Sequence, residues 1–354
     1  MGKAGRAPDS EGWEALVDLE RLASWMDTHR LGEGDIFSPV LLTGGTQNVL
    51  LKFHRGDRDY VLRRPPLHPR GDGNETMRRE ARILAALART DVPHPALIAA
   101  ASDEQVLGAA FLLMEPVHGF NATIELPALH AGDPAMRHDM GLALVDGIKA
   151  LARVDYRAAT LNASFQQTGY LDRQILRWLR QLTSYSDYTG WPGPDAIPGI
   201  ETVVAWLRNG VPRTFTPGII HGDYHLANVM YCFDSGQLAA IVDWELSTVG
   251  DPLIDLGWLL ATWPDENGDN PSGVTVNPWH GFPSQNELIS RYAAGSAQDM
   301  SAMHWYAVFA CFKFGIVLEG THARALAGKA SWAIGERMHN AAIGLFNRAL
   351  KLIN

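Results

Sequence analysis

The chain of 354 residues is 46% hydrophobic and 19% charged with a formal net charge of -9. That is enough apolar material for one large domain or two units with separate cores, and too little positive charge for a surface that neutralises nucleic-acid phosphates. Its two cysteines, Cys232 and Cys311, exclude a disulfide framework and are expected to be reduced core thiols in a cytoplasmic protein.

No membrane partner is expected either. The first ten residues lack the apolar stretch of a signal peptide, and Arg6 stands where myristoylation requires Ser or Thr. The most apolar run, 253–263, is interrupted by Asp255 and too short for a bilayer.

Taken in chain order, residues 11–29 predict an amphipathic helix behind Ser10 as cap, with Trp13, Leu16, Leu22 and Met26 at helical spacing. Residues 35–64 change to short β-type runs at 40–42, 48–53 and 59–62, punctuated by Gly44-Gly45 and Arg55-Gly56-Asp57, which predicts a three-strand antiparallel meander. Pro65-Pro66 ends it, a helix follows over 75–88, and apolar runs at 97–101 and 110–114 complete a small sheet. Beyond Gly119 the texture is helical, with candidate helices near 134–154, 170–183, 199–209, 252–262, 285–294, 301–319 and 332–350. One interruption, 218–242, reads as strand, polar turn, strand, turn and strand. The expectation is an α+β, bilobal chain: a helical extension over 1–34, a small antiparallel-sheet lobe with one helix over 35–115, a hinge over 116–119, and a larger, mainly helical lobe over 120–354.

The interruption carries the chemistry. His221-Gly222-Asp223-Tyr224-His225-Leu226-Ala227-Asn228 places a carboxylate and a carboxamide five positions apart between two apolar strands, and Asp243-Trp244-Glu245 ends the returning strand. Phosphoryl transfer needs a carboxylate to orient the attacking hydroxyl and accept its proton, and oxygen ligands for magnesium. Asp223 suits the first role and Asn228 with Asp243 the second, because an antiparallel hairpin brings its two ends together.

Three upstream features bear on that reading. Thr43-Gly44-Gly45-Thr46-Gln47-Asn48 lies between two predicted strands, where its amides would cover nucleotide phosphates, or where Gly44-Gly45 would simply make a tight turn. Arg63 ends the third strand, where a kinase presents a cation to the α- and β-phosphates, and Glu80 in the next helix is its natural partner. Alone, the same two residues read sooner as an exposed surface pair.

In this order the motifs resemble the aminoglycoside phosphotransferase family, a branch of the protein-kinase-like superfamily, from about Leu41 to Ala330. His221-Gly222-Asp223 with Asn228, Ile241 to Glu245, and Gly250-Asp251-Pro252 with Asp255-Leu256 carry the likeness. Gly44-Gly45 to Asn48, Tyr60 to Pro66 and Tyr306 to Leu326 are most similar to the subgroup whose members also occur fused to acyl-CoA dehydrogenases. The resemblance implies a protein-kinase-like fold and a kinase using ATP and Mg2+, with Asp223 as catalytic base, Asn228 and Asp243 holding magnesium, and Arg63 on phosphate while paired with Glu80. Gly44, Gly45, Thr46 and Asn48 would line the nucleotide, and the backbone at Glu115 and Val117 would meet adenine. Arg63 replaces the lysine that most kinases use, and the phosphate loop lacks a third glycine.

Other polar residues read more plainly. Asp251 before Pro252 is expected to cap a helix, Asp255 to bond backbone near the 221–228 loop, and His221 to be a packed loop histidine. Glu245 suits either a second metal and acceptor rim or an exposed strand end. His118, His225, His280 and His304 show no metal-type spacing and are assigned no role. Residues 251–300 hold seven carboxylates against one basic residue, Arg291, with Trp258, Trp263, Trp279 and Phe282. That composition suits a cationic acceptor such as an aminoglycoside or amino alcohol, or a solvated loop. The subgroup resemblance points instead to hydroxyacyl groups carried on coenzyme A. The expected partner is thus a small-molecule hydroxyl acceptor. A nucleotide-binding scaffold with the same fold and negligible turnover is the competing class.

Overall fold

The computed structural model describes residues 12–42, 48–69, 71–157, 161 and 165–354. The chain divides into two compact units, one running to Thr90 and including His94–His118, the other comprising Asp91–Pro93 and Gly119–Asn354.

The first unit begins with a 3-10 turn, Trp13–Ala15, and helix α1 (Leu19–Thr28). The helical pattern expected from 11 thus breaks before residue 19. The reason is local: the Asp18 carboxylate accepts the amides of Glu20 and Arg21, both at 3.0 Å, and nucleates the helix there. Strands β1 (Ile36–Leu41), β2 (Val49–Arg55) and β3 (Arg58–Arg64) form the meander. Helix α2 (Gly73–Leu87) follows, capped by Asp72 on the Glu75 amide at 2.9 Å, then β4 (Leu97–Ala101) and β5 (Phe111–Met114). All five strands are antiparallel, in the order β1-β2-β3-β5-β4.

Alternation along β2 and β3 explains the packing, because successive side chains point to opposite faces. Leu51, Phe53, Tyr60 and Leu62 join Leu22 and Met26 of α1 in one buried cluster. Arg55, on the same face, is 1% exposed and donates to the carbonyls of Gly34 at 2.9 Å and Ala23 at 3.1 Å, tying α1 to the sheet. Val61 and Arg63 alternate onto the other face.

The second unit is mainly helical: α3 (Ala128–Gly132), α4 (Pro134–Ala152), α5 (Tyr170–Ser184) and α6 (Ile200–Asn209) precede a strand cassette. The cassette comprises β6 (Gly218–Ile220), β7 (Val229–Tyr231), β8 (Leu238–Ile241) and β9 (Thr248–Gly250). Then come α7 (Leu253–Ala261), α8 (Gln285–Ala293), α9 (Met303–Leu326) and α10 (Trp332–Ile353). β7 and β8 make the expected hairpin, with Val229 opposite Ile241. β6 pairs instead with β9, a three-residue strand too short for any alternation to announce it.

Helix α9 extends seven residues beyond the expected 319: Gly320, which reads as a stop, stays helical where Tyr185 packs so closely that a Cβ would lie 2.5 Å from its hydroxyl. The stretch Met300–Leu326 is long and apolar enough to cross a membrane, but most of its apolar part is buried inside the fold. Packed against α5, α6, α7 and α10, it is the core helix of the unit.

Candidate active site

The cassette is built so that two loops share one frame. β6 delivers His221, and Gly222 follows with a φ of +87° and so little room that a Cβ would lie 2.7 Å from the Leu246 carbonyl oxygen. Only glycine suits that conformation and that gap. Asp223 comes next, then a 3-10 turn over Leu226–Asn228 leads into β7. On the return, Val242 donates its amide to the Asn228 carbonyl at 2.9 Å, and its own carbonyl lies 2.9 Å from His221 Nε2. A carbonyl only accepts, so the His221 proton sits on Nε2, and Nδ1 accepts the Asp223 amide at 3.3 Å. Asp243 therefore begins one residue beyond a segment bonded to both ends of the 221–228 loop. Its φ of 66° and ψ of 61° place it in the left-handed region, uncommon outside glycine and locally strained.

Asn228 and Asp223 meet directly. The Asn228 carboxamide nitrogen donates to Asp223 Oδ2 at 3.0 Å and to the Asp223 carbonyl at 2.9 Å. Both amide hydrogens are thereby used, and the carboxamide oxygen is the group's acceptor or cation ligand. His225, to which the sequence assigned no role, places Nε2 3.3 Å from Asp223 Oδ1 while its Nδ1 accepts the Ala227 amide at 3.1 Å. Burial by itself would raise the Asp223 carboxyl, but His225, His221 and Lys313 together outweigh it and hold the group well below the usual carboxylate range. The carboxylate is ionised across the physiological range.

Beneath the loop lie two buried charges of opposite sign. Asp255, fully buried on α7, accepts the His221 amide at 2.6 Å and the Gly222 amide at 2.8 Å, the backbone role expected of it. Burial raises its carboxyl, and His221, the two amides and Lys313 pull the other way. Lys313 on α9 donates Nζ to the Gly222 carbonyl at 2.6 Å and sits 4.1 Å from the centroid of the Trp258 ring. Burial lowers the Lys313 ammonium to about 8, with Asp223 and Asp255 acting to raise it. Nothing in the local sequence announced this lysine, which lies in an apolar helical run ninety residues after Asp223.

Asp251 also proves structural: it accepts the Leu253 amide at 3.1 Å and the Tyr306 hydroxyl. Helix α7 begins at Leu253, so proline stands just ahead of the first turn rather than within it. Glu245 is half-buried in a 3-10 turn over Trp244–Leu246, not at an exposed strand end.

The acidic and aromatic residues of 251–300 are largely occupied within the fold. Asp265 accepts the amides of Asn267 and Asp269, both at 2.9 Å, Glu287 completes the capping box of α8, and Asp299 caps a 3-10 turn. Trp263, Trp279 and Phe282 pack on one another, with Trp279 and Phe282 stacked at 4.6 Å. The Trp258 face is taken by Lys313.

Within the strand-rich unit, Arg63 Nε bonds Glu80 Oε2 at 3.1 Å. The pair is buried, at 6% and 2% exposure, which corrects the alternative of an exposed surface contact. Glu115 donates its amide to the Ala96 carbonyl at 2.9 Å and pairs its side chain with Arg58. Gly44, Gly45 and Thr46 lie outside the described residues, and Asn48 directly precedes β2.

Comparison with known proteins follows the same residues. The model of the phosphotransferase enzyme family matches residues 40–306. A curated relative, acyl-CoA dehydrogenase family member 10 of Mus musculus, is 27% identical over 89% of this chain and 29% of its own length. Acyl-CoA dehydrogenase family member 11 of Gallus gallus is 30% identical over 82% of this chain and 37% of its own. The chain thus spans about a third of the length of these relatives. Among solved structures, a protein of Ralstonia eutropha JMP134 provisionally named an aminoglycoside phosphotransferase is 28% identical with a TM-score of 0.77, over 94% of this chain and 98% of that one. The GDP and kanamycin complex of APH(2")-IIIa, at 17% identity and a TM-score of 0.63 over 94% and 99% of the two chains, shares the fold. With its antiparallel five-stranded sheet, its helical second unit and a family match across most of its length, this chain belongs to the phosphotransferase enzyme family and has the kinase-like fold of the aminoglycoside phosphotransferases.

Proposed function

We propose that the chain is an ATP- and magnesium-dependent kinase that transfers the γ-phosphoryl group to a hydroxyl of a small molecule. The observation that carries this is the clamp of Asn228 on Asp223: one carboxamide fixes the carboxylate with its nitrogen and offers its oxygen to a cation. A low-lying carboxylate with one oxygen beside His225 is suited to orient a substrate hydroxyl and receive its proton as the O–P bond forms.

The donor set fits magnesium. Asn228 Oδ1 and the Asp243 carboxylate are hard oxygen ligands, and Asp243 is held by a strained backbone in a frame shared with Asn228. When bound, the metal neutralises charge on the phosphates. In the strand-rich unit Arg63, oriented by Glu80, supplies a fixed guanidinium for phosphate oxygens. Asn48 with Gly44, Gly45 and Thr46 would complete the phosphate loop, and the backbone at Glu115 and Val117 would meet the adenine.

One observation favours an acyl-type acceptor over a polyamine. Of the carboxylates of 251–300 that would recognise ammonium groups, Asp251, Asp265, Glu287 and Asp299 cap helices and turns and Asp255 holds the amides of His221 and Gly222. The names of the relatives agree, since each carries an acyl-CoA dehydrogenase in its description. We therefore assign the acceptor as a hydroxyacyl group carried on coenzyme A. A panel of hydroxyacyl-CoA esters, aminoglycosides and amino alcohols, assayed with ATP and magnesium, tests it. Turnover is expected on the esters. Turnover on amines alone would overturn the acceptor class, and no turnover on a broad panel would favour a nucleotide-binding scaffold.

A further inference from the structure

We propose that Glu319, His322 and His339 form a binding site for one zinc-class divalent ion that clamps α9 to α10, separate from the phosphotransfer residues. Glu319 and His322 stand three residues apart on α9 and share one face of the helix. His339 reaches them from α10, and the helices come close enough there that a Cβ on Gly335 would lie 2.3 Å from the Ala325 Cβ. The ligating atoms of the three side chains all lie within 4.8 Å of one another. A Glu-x-x-His pair on one helix facing a ligand from a neighbour is a pattern used by metal sites in helical bundles.

The electrostatics ask for a cation. Glu319 is 1% exposed, and its carboxylate is contacted by His322 Nδ1 at 3.0 Å, His339 Nδ1 at 2.7 Å and Trp191 Nε1 at 2.8 Å. Among the described residues no lysine or arginine pairs with it. A buried carboxylate needs a compensating charge. An ion between the three groups supplies it. Each neutral imidazole moves its proton to Nε2 and gives its Nδ1 lone pair, the carboxylate gives an oxygen, and no net proton is exchanged.

Two imidazoles and one carboxylate suit zinc and its neighbours rather than magnesium or calcium, and a water would take the fourth position. Trp191 would then hold the ligating carboxylate from behind, as outer partners of metal ligands do. The residues that hold the proposed site belong to α9, α10 and the segment after α5, and none lies in the 221–243 cassette.

The experiment is zinc titration by calorimetry of tag-free, chelator-stripped full chain, with cobalt absorption as a second reading. One ion per chain is expected, with Kd below about 1 μM, and a rise in Tm on adding zinc. His322→Asn and His339→Asn should each weaken binding by about 100-fold or more, while Asp223→Ala and His304→Ala leave it unchanged. If the variants do not fold, X-ray absorption of the zinc-loaded wild type decides, and two imidazole ligands are expected. Failure of the wild type to bind zinc, binding unchanged in both histidine variants, or an absorption spectrum without imidazole would each overturn the site.

Discussion

Lys313 donates its ammonium to the Gly222 carbonyl across 2.6 Å, so a charge on the core helix α9 fixes the peptide immediately before Asp223. Asp255 holds the amides of the same loop from α7. The backbone of the proposed catalytic loop is thus gripped on its carbonyl side by a cation and on its amide side by an anion, both buried. Lys313→Met should lower kcat by about 10- to 100-fold through misplacement of Asp223, with a smaller effect on KM for ATP. Steady-state kinetics separate the two. An equal loss in KM alone would place Lys313 in substrate binding.

The same lysine predicts a pH limb. Its folded value of about 8 lies below the ordinary 10.5 because burial penalises the charged form. Raising the pH through about 8 therefore discharges it in the native state, and the bond to the Gly222 carbonyl loses its charge assistance. Wild-type kcat should fall above that pH, and the limb should be absent from Lys313→Met. For stability the sign is reversed: the destabilisation builds as the pH falls from the ordinary 10.5 to about 8 and is complete below that, where the native ammonium must be buried charged.

Asp251 gives a second titration, read on stability. Burial lifts its carboxyl from 3.8 to about 6, against the hydrogen bonds of Tyr306 and Leu253. A raised carboxyl favours the fold at low pH, and that contribution disappears as the pH rises through about 6. At one pKa unit per 1.36 kcal/mol, the native state bears on the order of 3 kcal/mol for ionising it. Asp251→Asn should therefore gain stability relative to wild type between pH 4 and 7, as measured by urea midpoints at both ends. A difference independent of pH would contradict the assignment.

Arg63 and Glu80 form a buried pair, so changing one member removes a hydrogen-bonded opposite charge from the other. Glu80→Gln should cost about 3 kcal/mol of stability or more and raise KM for ATP, since the guanidinium loses its orienting oxygen. Denaturant melts and nucleotide titration report the two effects separately.

Much of this was legible in the sequence, and the reasons differ by residue. Asp223, Asn228 and Asp243 stood out because their types and spacing suit phosphoryl transfer, although Asp223 and Asn228 read also as turn formers; the β7–β8 hairpin is the expected one, and Asn228 bonds Asp223. Lys313 was hidden because its helix is buried on nearly all sides, and an apolar run reads as core whatever single charge it contains. His225 was dismissed for lack of metal spacing, although its position between Asp223 and Asn228 was itself the signal. The Arg63–Glu80 pair left its burial open, since composition cannot say which face of β3 is covered. The carboxylates of 251–300 suggested a cation site, but an acidic residue two or three positions before a backbone amide is as much a cap as a ligand. Residues 43–47 lie outside the described residues.

The most direct test is phosphoryl transfer by Asp223→Ala beside wild type, followed by phosphorus-31 NMR with a hydroxyacyl-CoA ester, ATP and magnesium. The account predicts a new phosphate-ester resonance with wild type and a rate lower by about 100- to 10,000-fold in the variant, at unchanged nucleotide affinity. A variant that forms the ester at the wild-type rate would contradict it.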